Sequence, residues 1–207
     1  MAASLLHIRQ RRGMIRQKVG KILNKQVNTM EHVERVNREL VYKGTILDIY
    51  EDTILTPDGH TAKWDFISHK GAAAVVPVRE DGKILMVRQY RNALDRYTLE
   101  IPAGAVDDVA EPKINCAARE LEEETGFRSE HLEWLINVNT TVAFCNEFIG
   151  IYVATDLIPS KQHLDEDEYV EVEAYTPQEL TEKILSGEIT DGKTIAAIMA
   201  YRQKYHK

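Results

Sequence analysis

The sequence has few of the cysteines that hold small extracellular folds together. Its 207 residues include only Cys116 and Cys145, and no CxxC pair. This scarcity disfavours a disulfide scaffold and a zinc ribbon. We therefore expect the protein to work in a reducing compartment, the cytoplasm.

Long hydrophobic runs are also missing. No apolar stretch approaches the roughly 18 residues of a membrane-spanning helix, and the N-terminus lacks the apolar core of a signal peptide. Glycine, proline and aromatic residues occur at ordinary levels, which disfavours a fibrous or wholly disordered chain. With 43% hydrophobic and 29% charged residues, the composition predicts one globular domain with room for a small appendage.

Acidic residues are absent from positions 1–29, which contain seven Lys and Arg. The remainder carries 19 basic and 33 acidic residues, a balance that disfavours broad nucleic-acid binding and suits a body that concentrates divalent cations. Ile15, Val19 and Ile22 have helical spacing in the basic segment, and such arms are also typical of membrane or RNA contacts. We expect a loosely attached or disordered extension, because chain termini commonly are.

Strand patterns begin near residue 39. An antiparallel meander with a turn at Pro57-Asp58-Gly59 is predicted first, and a helix is expected at about 112–125. Two helices close the chain, one starting near Thr176-Pro177 and one at about 192–205. Further strands are predicted at 72–78, 83–90, 97–101 and 169–175, and in the stretches WLINVNTTV and FIGIYVAT. This order indicates an α+β sandwich with a mixed sheet.

The stretch RELEEETG, residues 119–126, is an unusual helix end. Gly126 is typical of a stop signal, and the last turn of a helix carries partial negative charge that disfavours carboxylates. At 100° per residue, Ile114, Ala117, Ala118 and Leu121 form the predicted buried stripe. The neighbouring face holds three glutamates, while Glu122 lies elsewhere: the three are Glu120, Glu123 and Glu124.

A hard dication explains why these carboxylates are tolerated. Mg²⁺ and Mn²⁺ prefer oxygen ligands, and a bound dication relieves both the mutual repulsion and the unfavourable dipole. Taken alone, the cluster is also typical of a solvated acidic face. The preceding strand and glycine turn, EIPAGAVDDVAEP, favour the metal, because they can hold a backbone carbonyl such as that of Ala103 over the carboxylates. Arg119 is expected to orient Glu123 through an i,i+4 contact.

The run from Gly104 through Glu111 to Phe127 resembles the Nudix box, GX5EX7REUXEEXGU. Every anchor after Glu111 is in register, but six residues instead of five separate Gly104 from Glu111. We expect the surface loop to absorb this insertion. LEIPAG, VRQYR and LDEDEYVEV are similar to the ADP-ribose pyrophosphatase branch, and the resemblance covers about residues 39–205.

The resemblance implies a Nudix-type α/β/α sandwich with a mixed sheet and N-terminal antiparallel strands. It divides the chain into a basic extension (1–29), a meander that forms a homodimer (30–70) and the Nudix hydrolase domain (71–207). The metal ligands it implies for Mg²⁺ or Mn²⁺ are Glu120, Glu123, Glu124 and the carbonyl of Ala103. The catalytic carboxylate is expected from the acidic loop HLDEDEY, at Glu166 or Glu168, with Glu123 as another candidate base. That loop is also typical of a solvated hairpin.

Substrate-binding residues follow from the same resemblance. Arg91 corresponds to an arginine that contacts the phosphates, although it also suits a surface cation at a strand end. Trp64 stands where some relatives stack a tryptophan on adenine, although a core or interface aromatic fits equally well. Glu147 is kept in a loop that otherwise departs from the family, since TVAFCNE replaces the Ser-Pro-Gly motif on the terminal-ribose side.

These features predict metal-dependent hydrolysis of the pyrophosphate of ADP-ribose or a related nucleoside diphosphate sugar, giving AMP and ribose 5-phosphate. A broader nucleoside-diphosphate-X hydrolase stays open because of the missing Ser-Pro-Gly motif. A non-catalytic nucleotide sensor is disfavoured because no box carboxylate is lost. An RNA-decapping enzyme that uses the basic segment is disfavoured by the acidic body, and no membrane partner is expected.

Overall fold

The computed structural model describes residues 32–166 and 168–205. The prediction for segment 1–29 therefore lies outside the described residues. The described chain divides into two compact units, one of residues 32–39 and 51–64, the other of residues 40–50 and 65–205. The domain boundary near residue 70 stays a prediction.

Three strands near the N-terminal end form one sheet in the order β1-β2-β3. They are β1 (Glu34–Lys43), β2 (Asp48–Leu55) and β3 (Thr61–Ser68). In the first unit, the buried Asp52 accepts two hydrogen bonds of 2.6 Å from Arg38. Gly59 has a φ of +84° and completes the predicted turn between β2 and β3, in which the Thr56 N–H donates to the carbonyl of His60.

The second unit contains a four-stranded mixed sheet in the order β7-β4-β10-β9. Strands β4 and β10 are parallel, while β7 and β9 pair antiparallel at the two edges. An antiparallel sheet has the order β12-β5-β6, and β8 pairs with β11. The bounds are β4 (Ala72–Pro77), β5 (Ile84–Arg91), β6 (Arg96–Glu100), β7 (Ala103–Ala105), β8 (Phe127–Arg128), β9 (His131–Asn139), β10 (Phe148–Thr155), β11 (Ile158–Pro159) and β12 (Val170–Tyr175).

The helices occur where the sequence predicts them. In the described residues they are α1 (Lys113–Thr125), α2 (Pro177–Leu185) and α3 (Gly192–Tyr205), with a 3₁₀ turn at Asn92–Leu94. Thr176 and Glu179 form a capping box at the start of α2, which satisfies two backbone N–H groups. Across the described part of the chain, every helix is too short or too polar to span a membrane.

Strand β4 lies at the centre of the core and is buried at all six positions. Ala72, Ala74 and Val76 face a hydrophobic cluster that includes Leu180 of α2 and Ile198 of α3. The alternate residues of β4, Ala73 and Val75, pack towards α1 through Ala117 and Leu121. Because successive side chains of a strand point to opposite faces, helices cover both faces of the sheet. The predicted α/β/α sandwich with a mixed sheet is confirmed.

Candidate active site

Helix α1 begins after Pro112 and ends at Gly126, which adopts the left-handed conformation and donates its N–H to the carbonyl of Glu122. The predicted buried stripe is confirmed at Ala117 and Leu121, which are fully buried. It is wrong at Ile114, which is 41% exposed, and at Ala118, which is only half-buried. The buried face extends to the acidic side of the helix, because its buried positions include two glutamates, Glu120 and Glu124.

Both buried glutamates contact strand β7. The Glu124 carboxylate accepts a 3.0 Å hydrogen bond from the N–H of Ala103. The Glu120 carboxylate packs directly on Gly104, where an added Cβ would overlap it. The glycine of the box is therefore required by the close approach of a carboxylate to the backbone.

Arg119 holds the carboxylates in place. Its Nη1 donates to Glu120 at 2.7 Å and to Glu123 at 2.8 Å, and its Nη2 donates to the carbonyl of Ala105 at 3.0 Å. The expected i,i+4 contact between Arg119 and Glu123 is confirmed. Glu123 is the most solvent-accessible of the three carboxylates, with a side chain 37% exposed.

The loop with the inserted residue remains tied to the helix. The Glu111 carboxylate accepts from the N–H of Asp107 at 2.9 Å and lies 4.0 Å from Nε of Arg119. Within the loop, the Glu111 N–H donates to the carbonyl of Asp108 and closes a turn. The extra residue is accommodated in the loop, as expected, and Glu111 still reaches the arginine of the box.

Burial changes the proton affinity of the two buried glutamates, Glu120 and Glu124, which form an acidic pair. Loss of solvent is the largest cause that raises the pKa of Glu120 to about 7 and that of Glu124 to about 8. The charge of Arg119 lowers the pKa of Glu120, and the charge of Glu168 raises the pKa of both. Protonation and Arg119 thus relieve the repulsion at this helix end when no cation is bound.

This donor set fits a hard dication. Two buried carboxylates and a half-buried third supply oxygen atoms beside a bare glycine, and a cation would replace the protons that burial favours. Within residues 32–166 and 168–205, no three His, Cys, Asp or Glu side chains already surround a common point. The ligand set of Ala103, Glu120, Glu123 and Glu124 therefore stays a prediction.

A cavity of about 530 Å³ lies along β7. Three of the predicted site residues, Arg91, Ala103 and Glu147, line it together. The sequence did not identify four further polar residues in its wall: His69, Thr140, Asp191 and Lys193.

Two cations of this wall share one buried carboxylate. Glu100, 3% exposed, accepts from Nε and Nη2 of Arg91 at 2.8 and 2.7 Å. Lys193 also donates to Glu100, and to Asp191 at 3.0 Å. Burial by itself would raise the pKa of Glu100, but the Arg91 hydrogen bonds and the Lys193 charge outweigh it and hold the pKa at about 2. Arg91 and Lys193 are therefore fixed in position by one ionised group.

A signal for Lys193 exists in the sequence. A lysine in the first turn of a helix opposes the macrodipole, just as the glutamates do at the end of α1. Lys193 follows Asp191, which accepts hydrogen bonds from the N–H and hydroxyl of Thr194 and so caps α3. An N-cap residue followed by a lysine thus indicates that the lysine pairs with an acidic group elsewhere in the fold. Here that group is Glu100.

The loop that replaces the Ser-Pro-Gly motif is anchored at Glu147 and in its middle, at Phe144. Glu147 accepts from the hydroxyl of Thr140 at 2.7 Å and lies 3.5 Å from Nδ1 of His69. The N–H of Ile67 donates to the carbonyl of Phe144 at 2.7 Å. Glu147 is consequently held at the cavity wall without a proline or glycine in the loop.

The acidic loop starts against the end of α1. The His163 N–H donates to the carbonyl of Glu123, and Gln162 Nε2 donates to that of Glu124. These bonds satisfy two C-terminal carbonyls of the helix. Glu168 is half-buried and raises the pKa of the acidic pair, whereas Glu166 is exposed. Their catalytic roles stay predictions.

Trp64 lies on β3 in the first unit with 52% of its side chain exposed. That exposure rules out the core aromatic considered from the sequence. Adenine stacking by Trp64 stays a prediction.

Comparison with known proteins matches this sequence to one family. The NUDIX domain model matches residues 68–198. A methanol dehydrogenase activator of Bacillus methanolicus is 38% identical over 165 residues, which covers 79% of this chain and 89% of the relative. The ADP-ribose pyrophosphatase of Bacillus subtilis (strain 168) is 36% identical over 171 residues, which covers 82% and 92%. The crystal structure of an ADP compounds hydrolase superimposes with a TM-score of 0.76 at 20% identity, over 86% of this chain and 96% of that one, and shows the shared fold.

Proposed function

This chain belongs to the NUDIX domain family and is a Nudix hydrolase, and from this premise we propose that it cleaves the pyrophosphate bond of ADP-ribose or a related nucleoside diphosphate sugar. The products from ADP-ribose are AMP and ribose 5-phosphate. The relatives named ADP-ribose pyrophosphatase support this substrate class.

One observation carries the proposal. Strand β7 has the buried carboxylates of Glu120 and Glu124 against its backbone, and its residues also line the cavity that contains Arg91 and Lys193. Acidic ligands for a cation and basic groups for phosphates thus meet at one short strand. A pyrophosphate needs both, because its own negative charges repel a nucleophile.

A divalent cation is part of the proposal, since family members generally need one. We assign Mg²⁺ or Mn²⁺ to Glu120, Glu123, Glu124 and the Ala103 carbonyl. When bound, such an ion neutralises phosphate charge and lowers the pKa of a water.

The chain's own residues orient the substrate. Arg91 presents a planar guanidinium already fixed by Glu100, so little side-chain entropy is lost when it contacts a phosphate. Lys193 adds a second positive charge at the same wall. Glu147, fixed by Thr140, offers a carboxylate to hydroxyl groups of the sugar.

A carboxylate of the acidic loop removes a proton from the attacking water. Glu168 suits this role better than Glu166, because its charge already acts on the acidic pair. In-line attack at one phosphorus then expels the other phosphate as the leaving group.

The experiment is release of AMP from purified protein, followed by chromatography, with ADP-ribose compared with ADP-sugars and GDP-sugars. We expect ADP-ribose to be among the best substrates and turnover to require Mg²⁺ or Mn²⁺. Full activity in the presence of a chelator would contradict the metal assignment. Equal turnover of all substrates would favour the broader hydrolase, and binding without product would favour a nucleotide sensor.

A further inference from the structure

A second cavity, of about 600 Å³, lies beside the first and shares His69 with it. Its wall is formed by residues 43–48, residues 68–71, the start of α1 and three further residues of the second unit: Val109, Asn146 and Phe148. Because the His69 side chain belongs to both walls, the two cavities are neighbours.

The second cavity is basic, although residues 30–207 are acidic as a whole. Lys43, Lys70 and Lys113 line it, against a single aspartate, Asp48, among the described lining residues. Clustered ammonium groups in a concave wall attract anions more strongly than the same groups on a flat surface.

Lys113 is built into this wall. A Cβ on Gly150 would lie 3.2 Å from Cβ of Lys113, and a Cβ on Gly71 would lie 2.5 Å from its Nζ. The lysine stem therefore crosses one glycine and its ammonium group lies over the other. Since side chains at these glycines would displace it, the two glycines allow the lysine to reach the cavity.

The positive charges of these lysines are available to bind an anion. With respect to residues 32–166 and 168–205, none of Lys43, Lys70 and Lys113 forms an ion pair. Lys70 donates to the backbone carbonyl of Asp107, at 3.2 Å. Lys193, in the first cavity, is by contrast paired with Glu100 and Asp191.

We propose that the second cavity is a phosphate subsite, and that the preferred X group carries a phosphate monoester that occupies it. This inference rests on the proposed function, because the pyrophosphate must lie in the first cavity for the X group to extend past His69. A phosphate dianion accepts several hydrogen bonds at once, which suits ammonium groups at the N-terminal end of a 13-residue helix. Free inorganic phosphate has the same chemistry and is distinguished by the test.

The first arm of the test compares two substrates, ADP-ribose and ADP-ribose with a phosphate on its terminal ribose. We expect wild-type protein to have the higher kcat/KM for the phosphorylated substrate. Lys113→Met keeps the stem and removes the charge, and should reduce that preference about tenfold. Lys70→Met changes an exposed side chain and provides a second variant that is expected to fold normally. Lys204→Met, a lysine paired with Glu133 outside the cavity, is the matched control and should leave the preference unchanged.

The second arm measures inorganic phosphate binding by calorimetry in a chelator. A loss of affinity in Lys113→Met and Lys70→Met, without a change in substrate preference, would support the subsite with free phosphate as its occupant. Unchanged preference together with unchanged phosphate affinity in both variants would overturn the proposal. If neither ADP-ribose nor a related nucleoside diphosphate sugar is hydrolysed, the proposed function fails, while the phosphate titration still decides the subsite.

Discussion

At the scale of single residues, the site depends on charges that are buried in unlike surroundings. Glu100 and Glu124 are both 3% exposed, yet the pKa of the first is about 2 and that of the second about 8. Arg91 and Lys193 donate to Glu100, whereas Glu124 accepts from a backbone N–H, that of Ala103. The local partners, not burial alone, therefore decide which carboxylate stays ionised.

Replacing Glu100 with Gln is expected to lower the free energy of unfolding by about 2 kcal/mol at pH 7, because two cations lose a buried partner. The folded pKa is depressed from 4.5 to about 2. Its contribution is thus present above pH 4.5 and is lost as the pH falls through 2. Urea unfolding of wild type and variant should show a difference that shrinks over this range. Glu133→Gln, in an exposed pair with Lys204, is the control, and an equal effect there would contradict the argument.

Glu123→Gln should reduce metal-dependent turnover by orders of magnitude while the protein remains folded, because Glu123 is the accessible member of the acidic cluster. Glu122→Gln is the matched control one position away, since that carboxylate contacts Ser160 instead. AMP release and circular dichroism give the two readouts. Comparable loss of activity in both variants would mean that turnover depends on the overall negative charge of the helix end and not on Glu123 as an individual ligand.

At the scale of elements, α1 and β7 together build the acidic part of the site. The helix brings glutamates from consecutive turns to one face, and the strand supplies a backbone N–H and a glycine surface for them. The loop after β11 then binds the last carbonyls of α1. The position of the carboxylates thus depends on where α1 stops.

Gly126→Ala tests that dependence. Gly126 has a φ of +70°, and an added Cβ would lie 3.1 Å from the backbone N of Gln162. We expect a loss of about 1 kcal/mol in the free energy of unfolding from the left-handed conformation, together with weaker binding of Mg²⁺. Gly192→Ala at the start of α3 is the control, since no atom within 4 Å would meet its Cβ. If both substitutions were equally tolerated, the helix stop would not be a structural requirement.

At the scale of the whole molecule, folding brings an acidic pair into a body that already carries excess negative charge. The cost of this arrangement appears in the raised pKa values of Glu120 and Glu124. A bound cation offsets that cost and so stabilises the folded state as a whole. The homodimer stays a prediction that sedimentation can test.

Addition of Mg²⁺ at pH 8 should therefore raise the free energy of unfolding. At a hundred times its Kd the expected gain is about 2.7 kcal/mol, measured by thermal or urea unfolding with Mg²⁺ or a chelator. Glu124→Gln should remove most of the gain, because the variant lacks a ligand charge. An identical stabilisation in wild type and variant would place the ion elsewhere.

Much of the protein follows from local sequence patterns. The bounds of α1, the turn at Gly59 and the i,i+4 contact of Arg119 depend on periodicity, on glycine conformation and on neighbours a few residues apart. Each of these is a property of a short segment. The Nudix box is likewise contiguous, so the sequence alone is enough to recognise the family.

Only the tertiary structure decided which way α1 faces and which distant groups meet. Ile114 is exposed and Glu120 buried because α1 packs against β4 and β7, a choice that the helical pattern leaves open. Glu100 and Lys193 are 93 positions apart and form an ion pair. Contacts of this kind depend on how sheets and helices pack across the core, and the sequence around either residue does not identify its partner.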